Sequence, residues 1–200
     1  MADSLFYIKI LVFICTIVWL FTPLRQFKTR YFWFFLALAL TDPISLILGR
    51  SFHLVLGQFY VPFSILYLFI VMDFRKISFK KIAFSLIVIG LGIISFIQYW
   101  EYSQIFILVV LLMVLILLIK NSFEFVIEKG SINIFHIILV FYQTLNVLKF
   151  FSMISYFSTG IWFFFLSNIL QIFIGIFFLI YREDNSKLLI RIAGPKEQAG

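Results

Sequence analysis

The sequence predicts an all-α membrane protein, a bundle of seven transmembrane helices with its N-terminus outside and its C-terminus in the cytoplasm. Three observations predict it. The 200 residues are 64% hydrophobic and only 12% charged, with a mean hydropathy of +1.12. The charged side chains stand in short clusters between long apolar runs, whereas a water-soluble domain would spread them over its surface. The basic clusters, finally, fall on alternate connections.

A helix needs about 20 mostly apolar residues to cross a hydrocarbon core of roughly 30 Å. In lipid every backbone polar group must be satisfied within the segment, so such runs are helices. Seven stretches qualify: 5–22, 31–48, 52–72, 82–98, 103–119, 132–156 and 160–181, followed by a short basic tail at 182–200. The opening Met1, Ala2, Asp3 and Ser4 show neither a basic leader nor a small-residue cleavage site, so the first run is expected to stay as span one. Tyr31 and Trp33 open span two. Tyr99, Trp100 and Tyr102 flank the turn between spans four and five, where interfacial aromatic belts form. Gly90, Gly92 and Ser95 give span four a small-residue surface for close packing. Span five is apolar through its interior and is expected to face lipid. Two short amphipathic segments, 123–129 and 187–192, are expected to lie among headgroups.

Thirteen Lys and Arg residues occupy the connections after spans one, three and five and the tail, against Arg50 alone on the other side. That bias sets the orientation, basic side inward. It also accounts for the net charge of +7 without nucleic acid. Basic residues at the cytoplasmic face attract anionic lipid, at about 1 kcal/mol each near the surface. The connection with Arg75, Lys76, Lys80 and Lys81 interleaves aromatic and basic residues. It joins two spans, has little freedom to grip a strand, and is expected to face lipid or a protein partner.

Ionisable groups inside a span are costly and default to functional candidates. Lys9 sits near a span end and can snorkel to water. Asp42 lies about 10 Å and Lys149 about 12 Å from the outer ends of spans two and six, at 1.5 Å per residue. Opposite charges at matching depth invite an ion pair, because either alone would be uncompensated. Gln58 reaches about 9 Å in span three, and Asn168 and Gln171 about 12–17 Å in span seven, on one face. Tyr142, Gln143, Asn146 and Lys149 form one polar stripe on span six. Asp42, Gln58, Asn146, Lys149, Asn168 and Gln171 are therefore the candidate ligand-binding set, in the outer half of the bundle. Pro43 and Pro62 stand beside them, and each is expected to kink its helix and free a carbonyl. The same groups could equally form a structural lock that glues helices together.

Several chemistries are argued against. Two histidines, His53 and His136, and the single Cys15 are distributed to opposite faces, so no metal site or disulfide is expected. Neither H-E-x-x-H nor G-x-S-x-G occurs, and Asp42 has no second buried carboxylate to make an aspartyl dyad. Rhodopsins share seven spans and an outer N-terminus, but their retinal-bearing lysine lies in span seven, and 160–181 contains no Lys. The chain is not expected to be an enzyme or to carry a cofactor.

Asp42 late in span two, Gln58 and Pro62 running into Tyr67, the basic residues 75–81, and Asn168 with Gln171 extend a likeness over nearly the whole chain. In these features it resembles a loose group of small seven-span bacterial inner-membrane proteins without an assigned activity, some of them encoded near sensor kinases. Members often carry histidine where this chain has Gln58 and Ser167. The resemblance implies a multi-pass protein of the inner (plasma) membrane. The expected function is a sensing or signalling accessory protein that takes a small molecule in its outer half and acts through a protein partner. A small transporter or channel using the same polar cluster, the transporter built as three plus one plus three spans with 82–98 as linker, is the alternative. A structural subunit of a membrane complex is the third reading.

Overall fold

The computed structural model describes residues 2–52, 58, 60–72, 78–97, 100–154 and 160–192. Seven α-helices form among them: α1 (Ala2–Arg25), α2 (Phe32–Phe52), α3 (Tyr60–Val71), α4 (Phe79–Ile97), α5 (Trp100–Lys129), α6 (Ile134–Ile154) and α7 (Gly160–Ile180). A two-stranded antiparallel sheet, β1 (Ser131–Asn133) with β2 (Leu189–Arg191), pairs Ile132 with Ile190 and closes one end of the molecule, here called the strand end. Among the described residues, three helices are long and apolar enough to cross a membrane: Phe79–Ile97, Tyr102–Lys129 and Ile134–Ser152. The described apolar stretches of the other four are shorter: Ile10–Arg25, Phe32–Ser45, Tyr60–Val71 and Phe165–Ile180.

Contacts fix the directions. Gln26, just after α1, bonds the last carbonyls of α7, and Tyr31, just before α2, stacks on Phe135 at the start of α6. The Phe125 ring near the end of α5 meets His136. Phe34 meets Tyr67 while Asp42 meets Tyr60, so α2 and α3 are antiparallel. Ser103 near the start of α5 donates to the Ser95 carbonyl near the end of α4. Successive helices thus alternate in direction.

The packing order is a closed ring, α1–α2–α3–α5–α6–α7 and back to α1, with α4 outside against α3 and α5. This places span five differently from its expectation. One face of α5 is fully buried through Ile107, Val110, Val114 and Leu118, and only the opposite face, with Val109 and Ile116, is exposed. The helix bearing the fewest buried residues is α4, which buries Val88 and Gly92. Apolar character alone does not tell a lipid-turned face from a protein-turned one, because lipid and helix surfaces are equally apolar. Gly92 does allow close packing, against Ile65 of α3 and Phe106 of α5, whereas a side chain at Gly90 would meet open space.

Other boundaries also shift. Residues 123–129 are no separate segment but the last turns of α5, which carry a Lys120–Glu124 ion pair at 3.5 Å. Gly130 at φ 59° then stops the helix, its N–H bonding the Val126 carbonyl at 2.9 Å. Ile132, expected inside span six, belongs to β1, and α6 starts at Ile134. The amphipathic tail piece is a 3-10 turn (Ser186–Leu188), capped by Asn185 accepting from the Lys187 N–H, and then β2. Pro62 does not kink a helix. It lies in the first turn of α3, where its missing N–H would have had no intrahelical partner. Pro43 does lie inside α2 and leaves the Ala39 carbonyl without its ladder donor.

Aromatic rings fill the core of the strand-end half. Phe34, Phe35, Phe135 and Phe178 are fully buried. Phe178 stands 4.8 Å from Phe35 and 4.9 Å from Phe135 between ring centroids, inside the range of favourable ring packing.

Candidate functional site

Inside the ring of six helices lies a cavity of about 100 Å³. Each ring helix contributes to its wall: Trp19 of α1, Asp42 of α2, Tyr60 of α3, Leu111 of α5, Asn146 of α6 and Gln171 of α7. The periodicity explains the convergence. Tyr60, Ser64 and Tyr67 are spaced by four and three along α3, and Tyr142 and Asn146 by four along α6, so each set shares one helix face. Polar residues turn inward because an unpaired hydrogen-bonding group facing an apolar medium is costly.

The wall is hydrogen-bonded between helices. Tyr60 Oη donates to Asp42 Oδ1 at 2.8 Å. Thr41 Oγ1 donates to the Ala37 carbonyl at 2.8 Å and pairs with the Tyr67 hydroxyl, joining α2 to α3 a second time. Gln171 Nε2 donates to Asn146 Oδ1 at 2.9 Å, joining α7 to α6. Trp19 lies with its ring centroid 4.4 Å from that of Tyr142. Among the described residues that wall the cavity, Asp42 is the one charged group.

The candidate residues divide into three groups. Asp42, Asn146 and Gln171 meet at the cavity. Lys149 and Asn168 stand beside it: Lys149 Nζ donates to Asn168 Oδ1 at 3.3 Å. Gln58 is elsewhere, donating to the Phe96 carbonyl of α4 at 3.3 Å. Gln143 leaves the α6 stripe too, turning to the Leu111 carbonyl of α5 at 3.0 Å. Of the basic loop, Lys80 and Lys81 open α4, with Lys80 exposed, while Arg75 and Lys76 lie outside the described residues, as does His53. Tyr60, Tyr67, Trp19 and Thr41 also line the wall, and the sequence does not mark them. In a chain with 29 Phe, 9 Tyr and 4 Trp, an aromatic position alone carries no sign of what it faces.

A second polar cluster sits at the strand end. Gln26 is fully buried and donates to the Phe178 and Tyr181 carbonyls at 2.7 and 2.8 Å. Its Oε1 accepts from the Glu183 N–H at 3.4 Å. Glu183 accepts from the Arg30 N–H at 3.0 Å and pairs with buried His136 at 3.3 Å, and its carbonyl takes the Asn133 amide at 3.1 Å. Short polar residues near charged connections read as loop composition, which hid this lock. A larger cavity of about 320 Å³ between α5 and α6, lined by Phe123, Val126 and Ile137 among others, is predominantly apolar and brings no comparable set of polar groups together.

Comparison with protein families, with curated proteins and with solved structures finds no match.

Proposed function

We propose that the chain is a seven-span protein of the inner membrane, with its N-terminus outside and its tail in the cytoplasm, that senses a small molecule and signals through a partner. The observation that carries this reading is the meeting of all six ring helices at one hydrogen-bonded cavity. A molecule entering there touches every helix of the ring, so it can shift their packing by binding one arrangement better than another. The Gln171–Asn146 and Lys149–Asn168 hydrogen bonds link the cavity wall to α6 and α7, both tied to the strand end by the Glu183 lock. The basic connections favour anionic lipid and the cytoplasmic side.

The transporter reading has one observation in its favour. With α4 outside the ring, the contacts α1–α2, α2–α3 and α3–α5 are matched by α5–α6, α6–α7 and α7–α1, as a two-fold repeat of three helices would give. Against it, the packed rings of Trp19, Phe35, Phe135 and Phe178 stand between the cavity and the strand end. Sensing needs no path through them.

The test is thermal stability of the detergent-purified protein against a panel of small metabolites, with Asp42→Asn in parallel. A compound that binds the folded state alone raises the melting temperature by mass action. At least one compound is expected to do so in the wild type and not in the variant. A blank panel, or hits indifferent to Asp42, would remove the cavity from the functional account.

A further inference from the structure

Resting on the reading of this cavity as a ligand site, we propose that its ligand class is a small organic cation, of the size of a methylated ammonium. Three features of the wall point there. Asp42 is the one charged wall group among the described residues, and it is a carboxylate. Tyr60 holds Oδ1 from the side and thereby orients the group. Around it stand the rings of Trp19, Tyr60, Tyr67, Tyr142 and Phe150. Aromatic faces attract a cation through their quadrupole, most strongly where water is excluded, and cages of this composition suit alkylated ammonium groups that cannot use many hydrogen bonds. An anion would meet the carboxylate and the negative ring faces together, and a neutral ligand would leave the carboxylate without a countercharge.

Size fits the same class. A cavity of roughly 150 Å³ accommodates benzene, so about 100 Å³ takes a molecule of four or five heavy atoms. The position of Lys149 supplies a second test. It follows the wall residue Asn146 by three positions on α6 and donates to Asn168, which precedes the wall residue Gln171 by three on α7. A basic group so close to the wall opposes a second cation in the cavity.

The experiment compares trimethylammonium, acetamide and acetate, which have equal numbers of heavy atoms, on the purified full-length protein at matched ionic strength. At the usual ceiling of binding energy per atom such a ligand binds no tighter than roughly 40 µM, so titrations run to about 100 mM. Trimethylammonium is expected to raise the melting temperature saturably, by about 3–5 °C at ten times its Kd. Asp42→Asn removes the shift. Lys149→Gln, which keeps the carboxylate and removes the neighbouring basic group, tightens trimethylammonium binding by about threefold or more, and it decides the matter if Asp42→Asn does not fold. A saturable, Asp42-dependent shift with acetamide or acetate in place of trimethylammonium would overturn the cation assignment and leave the ligand site standing. A trimethylammonium shift that survives Asp42→Asn, or weakens in Lys149→Gln, overturns the assignment too. Absence of a shift with all three probes and with the metabolite panel overturns both.

Discussion

Gln26→Leu is expected to lower the melting temperature of the purified protein by about 6–12 °C. The side chain is fully buried, and its amide is the donor to the Phe178 and Tyr181 carbonyls and the acceptor of the Glu183 N–H. Leucine fills the space but leaves these groups without their partner. Each buried polar group so orphaned costs about 1–3 kcal/mol. A total near ~3 kcal/mol corresponds to that shift in a chain of this size, at about 2–4 °C per kcal/mol. The loss concentrates at the strand end, where α1, α7 and the start of α6 are held by one network. A change below about 2 °C would show that the lock makes no net contribution.

Gly175→Leu is expected to act as strongly, through packing. A Cβ at Gly175 would stand 2.7 Å from Val18 Cγ1 and 3.3 Å from Trp19 Nε1, so even alanine forces α1 and α7 apart. Val18 is β-branched and cannot rotate away within a helix. Overpacking of a tight contact costs about 1–3 kcal/mol, with leucine at or above the upper end, and a fall of roughly 6–12 °C follows. Because Trp19 walls the cavity, the variant loses ligand stabilisation as well. Gly90→Leu is the control: nothing lies within 4 Å of its Cβ, and its melting temperature is expected to move by under about 2 °C. Equal effects at the two glycines would contradict the packing account.

These two residues show what could and could not be read from the chain. The helical class and the alternation of runs are one-dimensional signals, and the seven described helices of alternating direction agree with them. Depth counting brought Asp42, Asn146 and Gln171 to a common level, and they do meet. It did so because residues per turn and rise per residue are constants of the helix. Rotation about each helix axis is not readable where every face is apolar. Gln58 and Gln143 therefore turn to neighbouring helices rather than to the cavity, and α5 is buried along one face where exposure was expected. The same ambiguity flagged Gly90, which packs on nothing, and passed over Gly175, which sits at the α1–α7 contact. Gln26 was hidden by its place in a charged connection.

The central claim, a seven-span bundle with outer N-terminus and cytoplasmic tail, is tested most directly by cysteine accessibility. In a Cys15→Ser background, single cysteines replace Ser4, Ser78, Glu101 and Ser186, and intact cells are treated with a membrane-impermeant maleimide. Ser4→Cys and Glu101→Cys are expected to label in intact cells, and Ser78→Cys and Ser186→Cys only after the membrane is opened. Ser4→Cys and Ser186→Cys reacting from the same side would mean an even number of crossings and would contradict the claim.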